Sequence, residues 1–136
     1  MEKDQSIEVT ELPESGYVPL VDYAHWRVAV LRYCPDVQLE NLHSMQKHME
    51  TDEVFVLLSG HCTLYAAGDG GKPGEISALP LLPCRIYNVK KGHWHTHALD
   101  PEGAVLIVEN RDTCDANSPV YELTEPERKI LTGISI

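Results

Sequence analysis

The stretch His48-Met49-Glu50-Thr51-Asp52-Glu53-Val54-Phe55-Val56-Leu57-Leu58-Ser59-Gly60 constrains the fold more than any other part of the chain. It sets a histidine and a carboxylate at the mouth of an apolar run that ends at a glycine turn. Under the two-residue period of a strand, Glu53, Phe55 and Leu57 share one face. Val54, Val56 and Leu58 make the other face apolar too, so this strand is expected to be covered on both sides. A polar pair leading into such a strand stands at the rim of a barrel or sandwich and looks inward. That is a common way to build a metal or small-molecule pocket.

The rest of the chain reads as more short strands. Residues 1–6 are expected to fray. Strands are predicted over 7–10, 17–23, 26–33, 37–44, 62–67, 75–82, 85–89, 94–98 and 104–109. Breaks fall at Pro13 to Gly16, Cys34-Pro35-Asp36, the loop Gly68 to Gly74, and Asp100-Pro101-Glu102-Gly103. No helix alternates with these strands, so the pattern predicts an all-β sandwich or barrel. Thr124-Glu125-Pro126-Glu127 carries a capping-box pattern, and Gly133 is a natural stop. A short helix is therefore expected over about 124–132, packed outside the barrel or against a second subunit. The 136 residues suffice for one domain, with a barrel core over about 17–110 and a C-terminal extension.

Charge narrows the partners. Twenty-one acidic residues against 11 basic ones leave a net −10, which argues against nucleic acid and anionic membrane surfaces. No apolar run reaches the roughly 20 residues of a membrane span, and the polar N-terminus lacks a signal-peptide core. A cytoplasmic location is expected. The four cysteines are far apart with no C-x-x-C pair, so they are expected as free thiols.

The central stretch resembles the first motif of the cupin superfamily, G-x5-H-x-H-x3-4-E-x6-G. His48, four intervening residues, Glu53, six more and Gly60 match its second half. Gln46 stands where that motif has its first histidine. The second motif, G-x5-P-x-G-x2-H-x3-N, is similar to Lys90-Lys91-Gly92-His93-Trp94-His95, with Lys90 in the place of proline and Leu99 in that of asparagine. The resemblance spans residues 46–99. It implies a cupin double-stranded β-helix, or jelly-roll barrel, that associates as a homodimer through its outer strands.

It also implies a pocket in which His48, Glu53 and His95, with Gln46 in the altered position, hold a divalent transition metal. Imidazole nitrogen with carboxylate oxygen suits Zn, Fe, Mn, Ni or Cu alike. The alternative is a barrel without metal, in which the same residues form a hydrogen-bonded cluster around a ligand. His93, His95 and His97 share a face if their run is a strand. His97 then points into the pocket as a third imidazole ligand, a general base or a wall residue, and His93 stays at the rim. Trp94 is expected to face outward. Glu50 and Asp52 read as rim charge, with a hydrogen bond from Asp52 to the loop that positions His48 as the alternative; His43 reads as a strand residue or a lining of the pocket, His61 as a solvated turn residue, and His25 carries no signal.

The family's fold hosts many reactions. Three functions stay open: a small metal-dependent enzyme acting on a polar metabolite, with His97 or Glu53 moving a proton; a metal-free binding or sensing module; and a lyase. The last rests on Gly92-His93-Trp94-His95, which resembles the glycine-x-tryptophan-histidine segment of ureidoglycolate lyases.

Overall fold

A computed structural model describes residues 6–134. Ten strands and one helix follow in the order β1 (Gly16–Tyr23), β2 (Trp26–Arg32), β3 (Ser44–Gln46), β4 (Glu53–Ser59), β5 (Cys62–Ala66), β6 (Ser77–Pro80), β7 (Tyr87–Val89), β8 (His95–Leu99), β9 (Ala104–Asn110), β10 (Val120–Glu122) and α1 (Glu125–Gly133). They form two five-stranded antiparallel sheets, ordered β1-β2-β9-β4-β7 and β10-β3-β8-β5-β6. Packed face to face, the sheets make a jelly-roll sandwich with a short C-terminal helix, as the strand pattern predicts.

Period two decides what each sheet turns inward. From the first sheet come Ala29 and Leu31, Phe55 and Leu57, Val105 and Ile107; from the second come Cys62, Leu64 and Leu99. Together they fill the space between the sheets. The same alternation then carries Arg27, Glu53 and Glu109 inward at one end of the first sheet. Gln46, His95 and His97 are carried inward from the second, where Gln46 pairs with His95 and Leu64 with His97. The core and the polar pocket are two stretches of one interior.

A second core lies on the outer face of the second sheet, where Met45, Tyr65, Trp94, Leu123 and Leu131 are buried together. The helix covers it. Thr124 Oγ1 accepts from the Glu127 N–H and Glu127 Oε1 accepts from the Thr124 N–H at 2.8 Å, closing the expected capping box. Leu131, fully buried, is the side chain the helix inserts. A leucine buried this way stabilises the fold by about 1.5–3 kcal/mol.

Several expectations are corrected. Residues 7–10 form no strand: Ile7 and Val9 are 70% and 82% exposed, and an alternating run with no neighbouring strand has no ladder to join. The frayed terminus expected for 1–6 lies, Ser6 apart, outside the described residues. In place of a strand over 37–44 stand two 3-10 turns, Pro35–Val37 and Leu39–Asn41. Their backbone groups bond locally, Val37 N to Cys34 O and Leu42 N to Leu39 O, and Asn41 Nδ2 takes Pro35 O. The segment crosses from one core to the other, Val37 entering the inner and Leu42 the outer. The β structure also continues beyond residue 110, because Val120–Glu122 pairs with Ser44–Gln46.

Trp94 does face away from the pocket, yet neither another sheet nor a subunit is needed to cover it. It is 3% exposed, donates from Nε1 to Gly70 O at 2.9 Å, and meets the Tyr121 ring edge-on. On the first sheet the outer face stays partly open. Val28, Val54, Val56, Leu106 and Val108 are half-buried neighbours in register, and Leu58 is exposed. Val30, on the same face, is buried.

Candidate metal and ligand site

The inward residues at the end of the sandwich line a cavity of about 430 Å³, within the usual range for small ligands. His48, Glu53 and His95 meet inside it, all buried, with their ligand atoms within 4.8 Å of one another. His48 Nε2 stands 3.1 Å from Glu53 Oε1, and His95 Nε2 stands 2.9 Å from the same oxygen. The two imidazole rings are edge to face at 5.2 Å. Glu53 comes from the start of β4 and His95 from the start of β8. His48 sits in the loop before β4, clamped to the second motif by the Gly92 N–H bond to His48 O at 2.7 Å.

Hydrogen-bond direction determines which electrons face the centre. His95 Nδ1 lies 3.0 Å from His93 O, and a carbonyl only accepts, so Nδ1 carries a proton and, on the neutral ring, Nε2 a lone pair. His48 Nδ1 lies 2.7 Å from Ser118 Oγ. The Asn117 amide donates from Nδ2 to Asp112 O and accepts at Oδ1 from the Cys114 N–H, which fixes Oδ1 as the oxygen. Ser118 Oγ is 3.0 Å from that oxygen, and two oxygens so close need a proton between them. The serine hydroxyl therefore donates to Asn117 and accepts from His48 Nδ1–H. His48 Nε2 is thus also a lone pair.

With both rings neutral, two imidazole lone pairs and a carboxylate oxygen converge with no hydrogen among them. Only a shared cation, a proton or a metal ion, resolves that arrangement. The donor set fits a divalent transition metal, since both rings are held by their outer nitrogen in the way metal-binding histidines are. Protons otherwise take the central place. Burial pushes the Glu53 carboxyl up, but hydrogen bonds from His48 and His95 pull it well below the usual carboxylate range. Burial lowers His95, and its bond to Glu53 more than reverses this, leaving it above the ordinary imidazole range.

The other residues named from the sequence separate clearly. Gln46 lines the cavity and donates from Nε2 to Ser118 O at 3.1 Å. His97 lines it too, beside the Phe55 ring, with an enclosed Nδ1 that has no hydrogen-bond partner; burial lowers its pKa. Asp52 accepts from Asn88 Nδ2 and the Lys91 N–H, so it ties the 88–91 turn rather than the loop before His48. His43 pairs with Glu122 at 3.2 Å and His61 with Asp100 at 2.8 Å, both outside the pocket. Two further aromatics are core residues: Tyr65 belongs to the outer core, and Tyr87 packs against the inner one.

Sequence reasoning missed three contributors. Ser118 and Asn117 carry no motif, and only the return of β10 beside β3 brings them to His48. Glu109 had a signal: in Ala104–Asn110 it follows Val105 and Ile107 in the inward phase, a carboxylate at the end of an apolar strand. Tyr17 OH donates to its Oε2, and Glu109 Oε1 is 4.0 Å from His48 Nε2. Burial and the neighbouring Glu53 charge both raise the Glu109 carboxyl. All four cysteines are free; Cys62 is buried and its thiol is pushed up to about 12, while Cys114 stands exposed at the pocket's edge.

A jelly-roll sandwich with a histidine and carboxylate pocket between its sheets is the class these features define. Solved structures of similar shape include a cupin, and the chain has the cupin fold. A cupin superfamily protein from Desulfitobacterium hafniense matches with a TM-score of 0.52 at 12% identity, over 79% of this chain and 86% of that one. A protein from Planctomyces limnophilus matches with a TM-score of 0.52 at 13% identity, over 82% and 95%. The capsular polysaccharide assembling protein CapF from Staphylococcus aureus matches with a TM-score of 0.54 at 13% identity, over 85% of this chain but only 31% of that one. At these identities the likeness is of fold alone. No protein-family model matches the chain, and no curated protein does. Among the described residues no helix is long and apolar enough to cross a membrane.

Proposed function

We propose that this chain is a small metal-dependent cupin enzyme in which His48, Glu53 and His95 hold a divalent transition metal beside a pocket for a small polar metabolite. One observation supports the reading: the convergence of His48 Nε2, His95 Nε2 and Glu53 Oε1, with the far nitrogen of each ring held by a hydrogen bond. A bound metal supplies Lewis acidity, polarising a ligand oxygen or activating water. His97 adds a neutral imidazole in the same cavity, which suits it to accept a proton from a bound ligand. A pure binding module has no use for that surplus group, and this tilts the reading towards catalysis.

Metal analysis of untagged protein, as purified and after reconstitution with Fe, Mn, Ni and Zn, is expected to return close to one ion per chain. No retained ion under any of these conditions would overturn the reading. Ser118→Ala should keep the fold and weaken metal binding by about 10- to 100-fold, because His48 Nδ1–H loses the acceptor that orients the ring. Unchanged affinity in that variant would mean that Ser118 plays no part in presenting His48.

We further propose that a second copy of the chain covers the open apolar face around Val54, Val56 and Val108. Light scattering is expected to give the mass of a dimer, and replacing Val56 and Val108 with lysine should give a monomer. A monomeric native protein would rule this out.

A further inference from the structure

We infer that Glu109 is a fourth protein ligand to the metal, supplied by β9 from outside both sequence motifs; the inference rests on the metal-site reading above. Glu109 sits one residue beyond the Val54–Val108 pair of the β4–β9 ladder, as Glu53 does on the facing strand, so the two carboxylates are lateral neighbours. Like charges in that relation repel, and both are buried, the Glu109 side chain being 5% exposed.

Protein groups answer that charge only in part. Tyr17 OH satisfies Glu109 Oε2. Arg27 is the register partner of Glu109 on β2, but its Nε and Nη2 are committed to Asp22 at 2.7 and 3.0 Å. Besides Tyr17, the Glu109 carboxylate meets the Glu53 carboxylate, and only a shared proton or a cation can join two such groups. Glu109 Oε1 is 4.0 Å from His48 Nε2, which is itself 3.1 Å from Glu53 Oε1. Ligand atoms about 2.1 Å from one metal lie no more than about 4.2 Å apart. Both of those spacings meet that limit; the set in which every ligand atom lies within 4.8 Å of every other is His48, Glu53 and His95, so Glu109 joins by closing on the ion they hold.

Glu109 also repeats the arrangement of the two histidines. His48 and His95 have their outer nitrogens tied down, by Ser118 and by His93 O, and Glu109 has its outer oxygen tied by Tyr17. In each the inner atom is left for the centre. Two carboxylates also neutralise a divalent ion, whereas Glu53 alone leaves a buried net positive charge. Gln46, in the position the motif gives to a histidine, is neutral and has its amide nitrogen engaged with Ser118 O. The two-imidazole, two-carboxylate set thus draws its fourth member from another strand.

Co(II) is the probe, added to chelator-treated native protein and to the Glu109→Gln, Gln46→Ala and His48→Ala variants. Affinity is read by competition and geometry by the visible absorption of the bound ion. Glu109→Gln is expected to weaken Co(II) binding by about 100-fold, the upper end of what a change at a metal site's supporting groups does, and to shift the spectrum. In thermal melts without metal this variant should be at least as stable as the native chain, because the substitution removes a like charge.

Native affinity and spectrum in Glu109→Gln, with binding lost in His48→Ala, would overturn the inference and leave the three-residue site standing. A loss confined to Gln46→Ala would overturn it in favour of Gln46. Failure of the native chain to bind Co(II) would overturn both readings.

Discussion

Replacing His48 and His95 together by alanine is expected to abolish metal binding and, at neutral pH, to destabilise the fold by about 3–5 kcal/mol, the scale of breaking a buried ion pair. Glu53 is the reason. It is buried between the sheets, and in the native chain its carboxyl lies below the ordinary range because two imidazoles hydrogen-bond to it. A carboxyl depressed by folding contributes stability above its unfolded pKa, and that contribution is lost as pH falls through the folded value. Without the imidazoles the burial remains and the compensation is gone, so the Glu53 pKa rises above its unfolded value and the sign reverses. Below the ordinary imidazole range, where His95 is charged in the folded and the unfolded chain alike, the gap between variant and native chain should therefore narrow as pH falls towards 4. Adding Glu53→Gln should recover stability without recovering metal. Urea denaturation at several pH values with metal analysis on the same samples checks both statements. Stoichiometric metal in the double variant would refute the ligand assignment.

Gly60→Ala is expected to lower stability by about 3 kcal/mol or more, in the upper range for single substitutions. Two independent costs meet there. Gly60 has φ +61°, in the left-handed region that non-glycine residues adopt only at a cost of about 1–2 kcal/mol. An added Cβ would lie 2.4 Å from the Glu102 carbonyl carbon and 2.6 Å from Asp100 Oδ1. The obstacle is mainly backbone, so no rotamer change relieves it. The β4–β5 turn and the β8–β9 turn press on each other here, joined by Ser59 Oγ to Glu102 O and by the His61 N–H to Asp100 Oδ1. Chemical denaturation measures the effect, and a midpoint close to the native one would mean that the two turns are free to separate.

Much of this site was legible along the chain because it obeys local rules. His48 and Glu53 flank the start of a strand at fixed spacing, and His95 follows a glycine turn. The inward phase of β4 and β8 follows from period two, and the same count could have marked Glu109. Ser118 and Asn117 could not be read this way. Their role depends on residue 118 lying beside residue 48, and no local pattern encodes a contact 70 residues apart. The strands expected over 7–10 and 37–44 failed for a related reason. Alternation describes what a segment can offer a sheet, while the presence of a neighbour with free backbone groups decides whether it is taken up.

Residue order by itself determined the all-β pattern, the C-terminal helix with its capping box, and the three residues at the heart of the pocket, because side-chain period, turn chemistry and capping act over a few residues. Only the tertiary structure decided which atoms face the centre of that pocket. The tautomers of His48 and His95, the pairing of Glu109 with Tyr17 and the closeness of two buried carboxylates arise from β3, β8 and β10 in one sheet facing β2, β4 and β9 in the other. The same packing put Trp94 under the chain's own C-terminal segment and left Val28, Val54, Val56 and Val108 of the first sheet half-buried, because a short helix can seal only one outer face.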